Sequence, residues 1–233
     1  MMRENILRLA GLVVIIGLSI FLFKTGYQVI GGALHLMTVV YLLWGTLNPQ
    51  SRWFGPIQTQ TENDQVWLTF DDGPDLRDTP KLLELLKAYR VKATFFVVGE
   101  KAEKHPALIR QIHEQGHQIG NHTWSHPQST FWCAGPWRTY REIVKCQHAV
   151  EQIIGVAPRV FRAPVGHSNF FVHAVLRKLN VQLVGWSSRG FDGVSQDTDQ
   201  VLKRIKASLK PGGILLVHEN SEIAVDVAQA VLD

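Results

Sequence analysis

From residue 65 onward, the sequence alternates between short apolar runs and stretches with helical character. The apolar runs cover residues 66–70, 93–98, 118–120, 159–161, 181–186 and 214–217. The helix-like stretches between them cover 79–90, 101–115, 140–154, 169–179 and 197–209, with Thr79 before Pro80 as a typical helix cap. Strands that alternate with helices predict a parallel sheet, either open or closed into a barrel. We therefore expect an α/β fold over residues 65–233.

The first fifth of the chain has a different composition. Residues 6–23 and 27–47 are nearly continuous apolar segments, each close to the roughly 20 residues needed to cross a bilayer. Tyr27 and Trp44 are aromatic residues of the kind found at headgroup depth. A cleaved signal peptide is the alternative for the first segment, but no small-x-small cleavage site precedes a polar sequence. We predict a membrane anchor over residues 1–48 and a linker over 49–64. The anchor is either a hairpin of two transmembrane helices or one span with a membrane-lying helix.

The sequence predicts a cell-membrane protein but leaves its orientation open. Arg3 and Arg8 favour a cytoplasmic N-terminus, so two spans would return the remaining chain to the cytoplasm and one span would place it outside. Membrane lipid is the partner expected for the anchor. The net charge is only +4, and no Lys/Arg run or aromatic-interleaved basic patch is present, so we expect no nucleic-acid partner.

Two adjacent carboxylates, Asp71 and Asp72, follow the first apolar run and precede a Gly73-Pro74 break. Neighbouring side chains on a regular strand point to opposite faces, so both acids serve one cavity only where the strand ends. The Gly-Pro pair supplies that ending. The acids are either a metal ligand beside a general base or part of an ordinary Asp-rich turn.

Two imidazoles, His122 and His126, are four residues apart in the loop after the third run. Pro127 disfavours a continuing helix, so we expect one helical turn or a shaped loop. With a carboxylate from the first strand end, the two histidines would complete an Asp/His/His set typical of a catalytic divalent-metal site. The alternative is a pair of partly exposed histidines in a polar loop.

Ionisable residues also follow the later strands. Arg162 follows the fourth run, and an arginine there can hold a carboxylate through a two-pronged hydrogen bond. Asp192 follows the fifth run and His218 ends the last one. Each residue taken alone fits a structural role. Because sites in parallel β/α folds are built at the carboxyl ends of strands, their convergence on one rim favours a catalytic pocket.

These motifs, in this order, resemble those of the polysaccharide deacetylases, the NodB-homology group of carbohydrate esterase family 4. The matching segments are Thr69-Phe70-Asp71-Asp72-Gly73-Pro74, His122-x-x-x-His126, Arg162-Ala163-Pro164-x-Gly166, Trp186 to Asp192, and Leu216-x-His218. The resemblance covers roughly residues 65–219. It implies a distorted (β/α) barrel with fewer than eight complete units, and metal-dependent hydrolysis of an N-acetyl group on an amino sugar.

The resemblance also implies a role for each matched residue. Asp72, His122 and His126 would bind the divalent metal, with Zn²⁺ expected first and Co²⁺, Ni²⁺ or Mn²⁺ as alternatives. Asp71 would be the general base, His218 the general acid, Arg162 the residue that orients the base, and Asp192 the acid that tunes His218. Pro164, Val165, Trp186 and Leu216 would contact the substrate, and Leu216 would form a wall of the acetyl pocket.

The sequence departs from the family pattern at two positions. Gly193 stands where a tryptophan commonly follows Asp192, and Val165 stands where an aromatic residue is frequent. Both changes remove sugar-facing surface, and we expect the aromatic segment 131–137 to supply a substitute wall rather than loop core. Only a helix-like stretch, 223–232, follows the last strand, so the barrel is expected to have an open seam or the chain to be incomplete.

Three functions are compatible with these residues. The first is N-deacetylation of a glycan or glycolipid. The second is removal of a formyl or other acyl group from a lipid-linked amino sugar, which would use the same site and which the apolar N-terminal segments favour. The third, a non-catalytic glycan-binding protein, is disfavoured because the base, the acid and all three metal ligands are present.

Overall fold

The structure is a computed structural model that describes the backbone of residues 2–233 and the side chains of residues 10–233. Its N-terminal part is an antiparallel pair of helices, α1 (Met2–Lys24) and α2 (Gln28–Leu47). Gly31 permits their close approach, since a Cβ there would lie 2.7 Å from the carbonyl oxygen of Ser19. Within the described residues, α2 is the one helix long and apolar enough to cross a membrane, and the apolar helix Ala10–Lys24 is shorter. Arg3 and Arg8, on which the predicted orientation depends, lie outside the described side chains.

The rest of the chain forms a curled, parallel seven-stranded sheet in the order β5-β4-β3-β2-β1-β7-β6. The strands are β1 (Trp67–Gly73), β2 (Thr94–Val97), β3 (Gln118–Asn121), β4 (Val160–Phe161), β5 (Gln182–Leu183), β6 (Ser188–Arg189) and β7 (Ile214–His218). The helices are α3 (Asp78–Tyr89), α4 (Gly99–Lys104), α5 (Pro106–Glu114), α6 (Pro136–Ile154), α7 (Phe170–Leu179), α8 (Thr198–Ser208) and α9 (Ala224–Leu232). The predicted α/β fold, a distorted (β/α) barrel with fewer than eight complete units, is confirmed, and the barrel is open between β5 and β6.

Several local predictions were wrong. Helix α6 begins at Pro136, before the predicted residue 140, and three further differences have a clear cause. Strand β6 was missed because two residues carry no periodic pattern. The predicted helix 101–115 is two helices, since Pro106 disfavours helical geometry at His105, which has φ −128° and ψ 56°. Helix α3 begins at Asp78 rather than after Thr79, because Asp75 Oδ1 accepts hydrogen bonds from the N–H groups of Arg77 and Asp78.

Alternation along β1 separates the core from the site. Leu68 and Phe70 point to the outer face of the sheet and join the main apolar core with α3, α5, α8 and α9. Burial of each such side chain contributes about 1.5–3 kcal/mol. Trp67, Thr69 and Asp71 therefore point to the inner face. There Trp67 packs against the apolar cluster that contains Phe96. The same packing that stabilises the sheet aims the polar face of β1 at the concave side.

Residues 57–60, within the segment predicted as a linker, lie against both sides of the sheet's open seam. Gln58 forms a parallel bridge to Val184, just beyond β5, and Gln60 forms an antiparallel bridge to Gly213, just before β7. Ile57 is buried. This segment therefore covers part of the gap between the two edges.

Candidate active site

A β-bulge in β1 brings Asp71 and Asp72 to the same pocket. Asp71 lies opposite Phe96 and Gly73 lies opposite Val97, so Asp72 is the extra residue, and its φ is 71°. Lys101 Nζ donates a hydrogen bond to the Asp72 carbonyl oxygen at 2.6 Å and supports this left-handed conformation. The sequence predicted convergence at a strand end, and the bulge is the geometry that achieves it.

His122 and His126 lie in a shaped loop, the second of the two predicted conformations. Thr123 and His126 have φ values of 69° and 50°, which exclude a helical turn. Asn121 Oδ1 accepts a hydrogen bond from the Thr123 N–H at 2.9 Å, and Thr123 Oγ1 accepts one from the His126 N–H at 3.1 Å. Short polar side chains thus fix both imidazoles over the end of β3.

The donor atoms of Asp72, His122 and His126 converge. Asp72 Oδ1 lies 3.4 Å from His122 Nε2 and 3.1 Å from His126 Nε2, and one ligand atom from each residue lies within 4.8 Å of the other two. His122 Nδ1 lies 2.8 Å from the Arg162 carbonyl oxygen, so Nδ1–H donates there and Nε2 faces Asp72. Among the described side chains, Asp72 Oδ1 is a buried atom without a hydrogen-bond partner. An unsatisfied carboxylate oxygen beside two imidazole nitrogens fits a divalent cation.

The pKa values of Asp72 and His126 suit that purpose. Burial acts to lower the pKa of His122, but the charges of Asp71 and Asp72 raise it, so His122 would release a proton when a cation binds. Burial acts to raise the pKa of Asp72, but the adjacent imidazole of His122 and the charges of His122, His126 and His218 outweigh it and lower the pKa. Burial, aided by the charge of His122, lowers the pKa of His126 to about 4. The carboxylate is therefore ionised and His126 neutral at neutral pH, as metal ligands must be.

Arg162 is fully buried at the end of β4 and holds Asp71. Its Nη1 donates to Asp71 Oδ1 and to Thr69 Oγ1, each at 2.7 Å. Its remaining nitrogens donate to the carbonyl oxygens of Val184 and Gly185. The predicted two-pronged bond to the carboxylate was therefore wrong: one nitrogen serves Asp71, because the others satisfy backbone carbonyls. The arrangement leaves Asp71 Oδ2 unclamped, 3.7 Å from His122 Nε2.

His218 ends β7 and is paired with Asp192. Asp192 Oδ1 lies 3.1 Å from His218 Nδ1, and Asp192 Oδ2 accepts the backbone N–H of His218. Burial acts to lower the pKa of His218, but the hydrogen bond and charge of Asp192, with the charges of Asp71 and Asp72, raise it to about 9. His218 is therefore an imidazolium at neutral pH. Gly193 leaves its ring uncovered, since a Cβ there would lie 3.3 Å from the ring.

The predicted substrate contacts are divided between the pocket and its support. Val165, Trp186 and Leu216 line the pocket together with the catalytic groups. Pro164 is buried in the 3-10 turn Pro164–Gly166, behind Val165, whose φ is 57°. In the aromatic segment 131–137, Phe131 is fully buried in core and Trp137 is 84% exposed, and neither lines the pocket.

Sequence reasoning missed Thr69, Lys101, Arg189 and Phe191. Thr69 shares a face with Asp71 by simple alternation, which could have identified it. Arg189 and Phe191 lie between two motif residues, Trp186 and Asp192, and also line the pocket. Lys101 carries no sequence signal, because its role is defined by the bulge.

The end of α2 packs against the loop that carries Val165. The Ser168 N–H donates to the Thr46 carbonyl oxygen at 3.2 Å. Gly166 faces Pro49 so closely that a Cβ would lie 2.6 Å from Pro49 Cβ. Helix α2 therefore ends directly beside the loop that carries Val165.

Comparison with known proteins gives a consistent result. The sequence profile of the polysaccharide deacetylase family matches residues 58–184. A peptidoglycan-N-acetylglucosamine deacetylase from Bacillus cereus is 38% identical over 154 residues, which cover 66% of this chain and 55% of that protein. The chain thus spans about half the length of this relative.

A chitooligosaccharide deacetylase from a Bradyrhizobium species is 36% identical over 155 residues, covering 66% of this chain and 70% of that protein. Among solved structures, a family 4 carbohydrate esterase from Streptomyces lividans in complex with acetate superposes with a TM-score of 0.67. That pair is 29% identical, and the match covers 73% of this chain and 86% of the esterase.

Proposed function

Because this chain belongs to the polysaccharide deacetylase family, we propose that it hydrolyses the N-acetyl group of an amino sugar in a glycan or glycolipid. The observation that carries the proposal is the convergence of Asp71, Asp72, His122, His126 and His218 on one pocket. The names of the Bacillus cereus and Bradyrhizobium relatives, which refer to peptidoglycan N-acetylglucosamine and chitooligosaccharides, support an N-acetylated glycan as substrate.

Asp72, His122 and His126 would hold the metal. Two imidazole nitrogens and one carboxylate oxygen match a catalytic Zn²⁺ site, with Co²⁺, Ni²⁺ or Mn²⁺ as alternatives. When bound, such an ion polarises the amide carbonyl and lowers the pKa of a water molecule.

The remaining residues move protons. Asp71, held through Oδ1 by Arg162, accepts the proton of the attacking water at Oδ2. The water oxygen forms a bond to the acetyl carbon, the amide C–N bond breaks, and His218 donates its Nε2 proton to the leaving amine. The Val165 N–H, beside the pocket, would donate to the oxyanion. Each acid or base contributes about 100- to 10,000-fold in rate.

Anchoring at the cell membrane is a second part of the proposal. The length and apolar surface of α2 support residues 1–48 as a single-pass or multi-pass anchor in contact with lipid. In this proposal residues 49–64 are a linker that partly packs on the sheet, and residues 65–233 are the catalytic domain. Extraction of cell membranes at alkaline pH tests it: an anchored chain stays in the pellet, and a variant without residues 1–48 becomes soluble.

A second substrate class is favoured by the contact between Thr46 of α2 and Ser168 in the pocket loop. This contact would keep the pocket near the membrane surface. An N-acyl amino sugar linked to a lipid would reach it there, and the acyl group removed would be acetyl or formyl.

The decisive experiment measures acetate and formate released by the full-length protein in detergent, with and without chelator and restored Zn²⁺. Chitooligosaccharides, peptidoglycan and lipid-linked amino sugars serve as substrates. Asp71→Asn should abolish turnover and leave the zinc content close to one per chain, since Asp71 is not among the converging ligand atoms. Asp64→Asn, at an exposed residue shortly before β1, is the matched control. Loss of zinc with activity in Asp71→Asn would reassign Asp71 as a ligand, and absence of any acyl release would contradict the proposed function.

A further inference from the structure

Arg189 places a second guanidinium group in the catalytic pocket. It lies on β6, opposite Leu216 of β7, and lines the pocket together with Asp71 and His218. The proposed reaction assigns it no role. Its side chain is only partly exposed, so its charge is placed where a substrate would lie.

Aromatic rings hold the guanidinium in position. Its carbon Cζ lies 4.0 Å from the centroid of the Phe191 ring and 5.2 Å from that of the Trp186 ring. Stacking on aromatic rings fixes the orientation of a guanidinium plane and leaves the guanidinium N–H groups free to donate hydrogen bonds.

Arg189 differs from the neighbouring arginines Arg162 and Arg204 in its hydrogen bonds. Among the side chains that the structure describes (residues 10–233), no hydrogen bond or ion pair of the Arg189 guanidinium is present. Arg162, by contrast, donates to Asp71, Thr69 and two carbonyl oxygens. Arg204, which also stacks on the Phe191 ring, donates to the Gly190 carbonyl oxygen and to Gln200.

Each carboxylate of the pocket contacts a group other than Arg189. Asp71 balances Arg162, and Asp192 commits both of its oxygens to His218. Asp72 faces the two metal-site histidines. A partly buried guanidinium with five donors and no partner among the described side chains favours an oxyanion that can accept two parallel hydrogen bonds, such as a carboxylate or a phosphate group.

We propose that Arg189 is a specificity-determining residue that binds an oxyanion on the substrate, so that the amino sugar cleaved carries a carboxylate or a phosphate group close to its N-acyl group. This inference rests on the proposed function, because it assigns a substrate class to the same pocket. The competing explanation is structural: Arg189 stacks only to seat the edge strand β6. In that case its removal would affect every substrate alike.

The first test compares substrates that differ in charge. Acyl release is measured from neutral N-acetylglucosamine oligomers, from N-acetylmuramic acid disaccharides, which carry a carboxylate, and from N-acetylglucosamine phosphates. Arg189→Met should lower kcat/KM about 10- to 100-fold on the anionic sugars, because a charge-assisted hydrogen bond is lost. On the neutral sugars it should lower kcat/KM less than about twofold. Arg189→Lys should retain part of the preference. Arg204→Met, a matched change beside the same ring, should leave it intact.

The source of the oxyanion follows from which sugar is affected: a loss confined to one anionic series identifies carboxylate or phosphate. An equal loss on neutral and anionic sugars, or no loss on either, overturns the inference.

The second test needs no turnover and separates this inference from the proposed reaction. The Asp71→Asn protein, with and without Arg189→Met, is titrated with N-acetylmuramic acid and with N-acetylglucosamine 1-phosphate by calorimetry. Binding about 10-fold weaker without Arg189 supports the subsite even if no hydrolysis is ever detected. Equal binding by the two proteins refutes it even if deacetylation is confirmed.

Discussion

Asp192→Asn should lower the pKa of His218 and, with it, the upper pH limit of catalysis. In the wild-type protein the pKa of His218 is raised to about 9, and Asp192 is the main group that raises it against the opposing effect of burial. A charge-assisted hydrogen bond contributes about 1.5–3 kcal/mol. At about 1.4 kcal/mol per pKa unit, its loss corresponds to a decrease of roughly one to two units.

The sign of the effect on activity follows from the role of His218 as an acid. A protonated acid is lost as pH rises through its pKa, so the alkaline limb of the pH–rate profile should move to lower pH in Asp192→Asn. The same 1.5–3 kcal/mol corresponds to a decrease in kcat of about 10- to 100-fold.

The contribution of the Asp192–His218 pair to the free energy of unfolding also decreases as pH rises. The pair stabilises the fold fully below pH 6.5, the ordinary pKa of histidine, and this contribution is lost as pH rises through about 9.

Two measurements check this reasoning. NMR titration of the metal-free protein reports the pKa of the His218 ring directly, and acyl release between pH 6 and 10 reports the alkaline limb. Asp197→Asn is the matched control, since Asp197 Oδ1 caps α8 through the Gln200 N–H and asparagine is an equally good cap. If His218 titrates at the same pH in Asp192→Asn and wild type, the attribution of its raised pKa to Asp192 is refuted.

Three further predictions concern the support of the site. Arg162→Met leaves the buried carboxylate of Asp71 unpaired and should lower the free energy of unfolding by about 3–5 kcal/mol, measured by urea denaturation. Lys101→Met removes the hydrogen bond to the Asp72 carbonyl oxygen and should weaken Zn²⁺ affinity about 10-fold, measured by chelator competition. Burial raises the pKa of Glu219 from 4.5 to about 8, so the wild-type fold should lose stability as pH rises between these values, and Glu219→Gln should remove that loss in pH-dependent denaturation.

Exposed neighbours provide the controls for these variants: Arg159→Met, Lys104→Met and Glu222→Gln change the same residue types at the surface. Stability of Arg162→Met equal to that of Arg159→Met would argue that Asp71 finds another partner. Unchanged Zn²⁺ affinity in Lys101→Met would show that the bulge holds without its lysine. A pH dependence that persists in Glu219→Gln would have to come from another group.

Much of the fold could be predicted because its strands are apolar and its helices periodic. Runs such as 66–70 and 214–217 are largely buried on both faces, and such strands can be recognised without any knowledge of their neighbours. The two-residue strand β6 cannot, since its place depends on pairing with Leu215 and Leu216 of β7. The start of α3 was missed for a similar reason: Asp75 competes with Thr79 for the cap, and only the geometry of the turn decides between them.

The site could be located from the sequence, but its hydrogen bonds could not. Polar residues after successive strands indicated one rim, and the structure brings them together there. That Arg162 would give Asp71 one nitrogen instead of two depends on the carbonyl oxygens of Val184 and Gly185, whose orientation no motif encodes. The pocket-lining Arg189 was overlooked because nothing in the sequence distinguishes an arginine with all its donors satisfied from one without acceptors.

The different roles proposed for Asp71 and Asp72 depend on the one extra residue in the β-bulge of β1. In a regular strand, two consecutive carboxylates would face opposite sides of the sheet, and one of them would enter the apolar core beside Phe70. The bulge turns Asp72 toward His122 and His126 while Asp71 keeps the register that sets it opposite His218. One acid is thereby placed among imidazoles and the other against Arg162. The same two side chains thus acquire different environments, and so different chemical capacities, from backbone geometry alone.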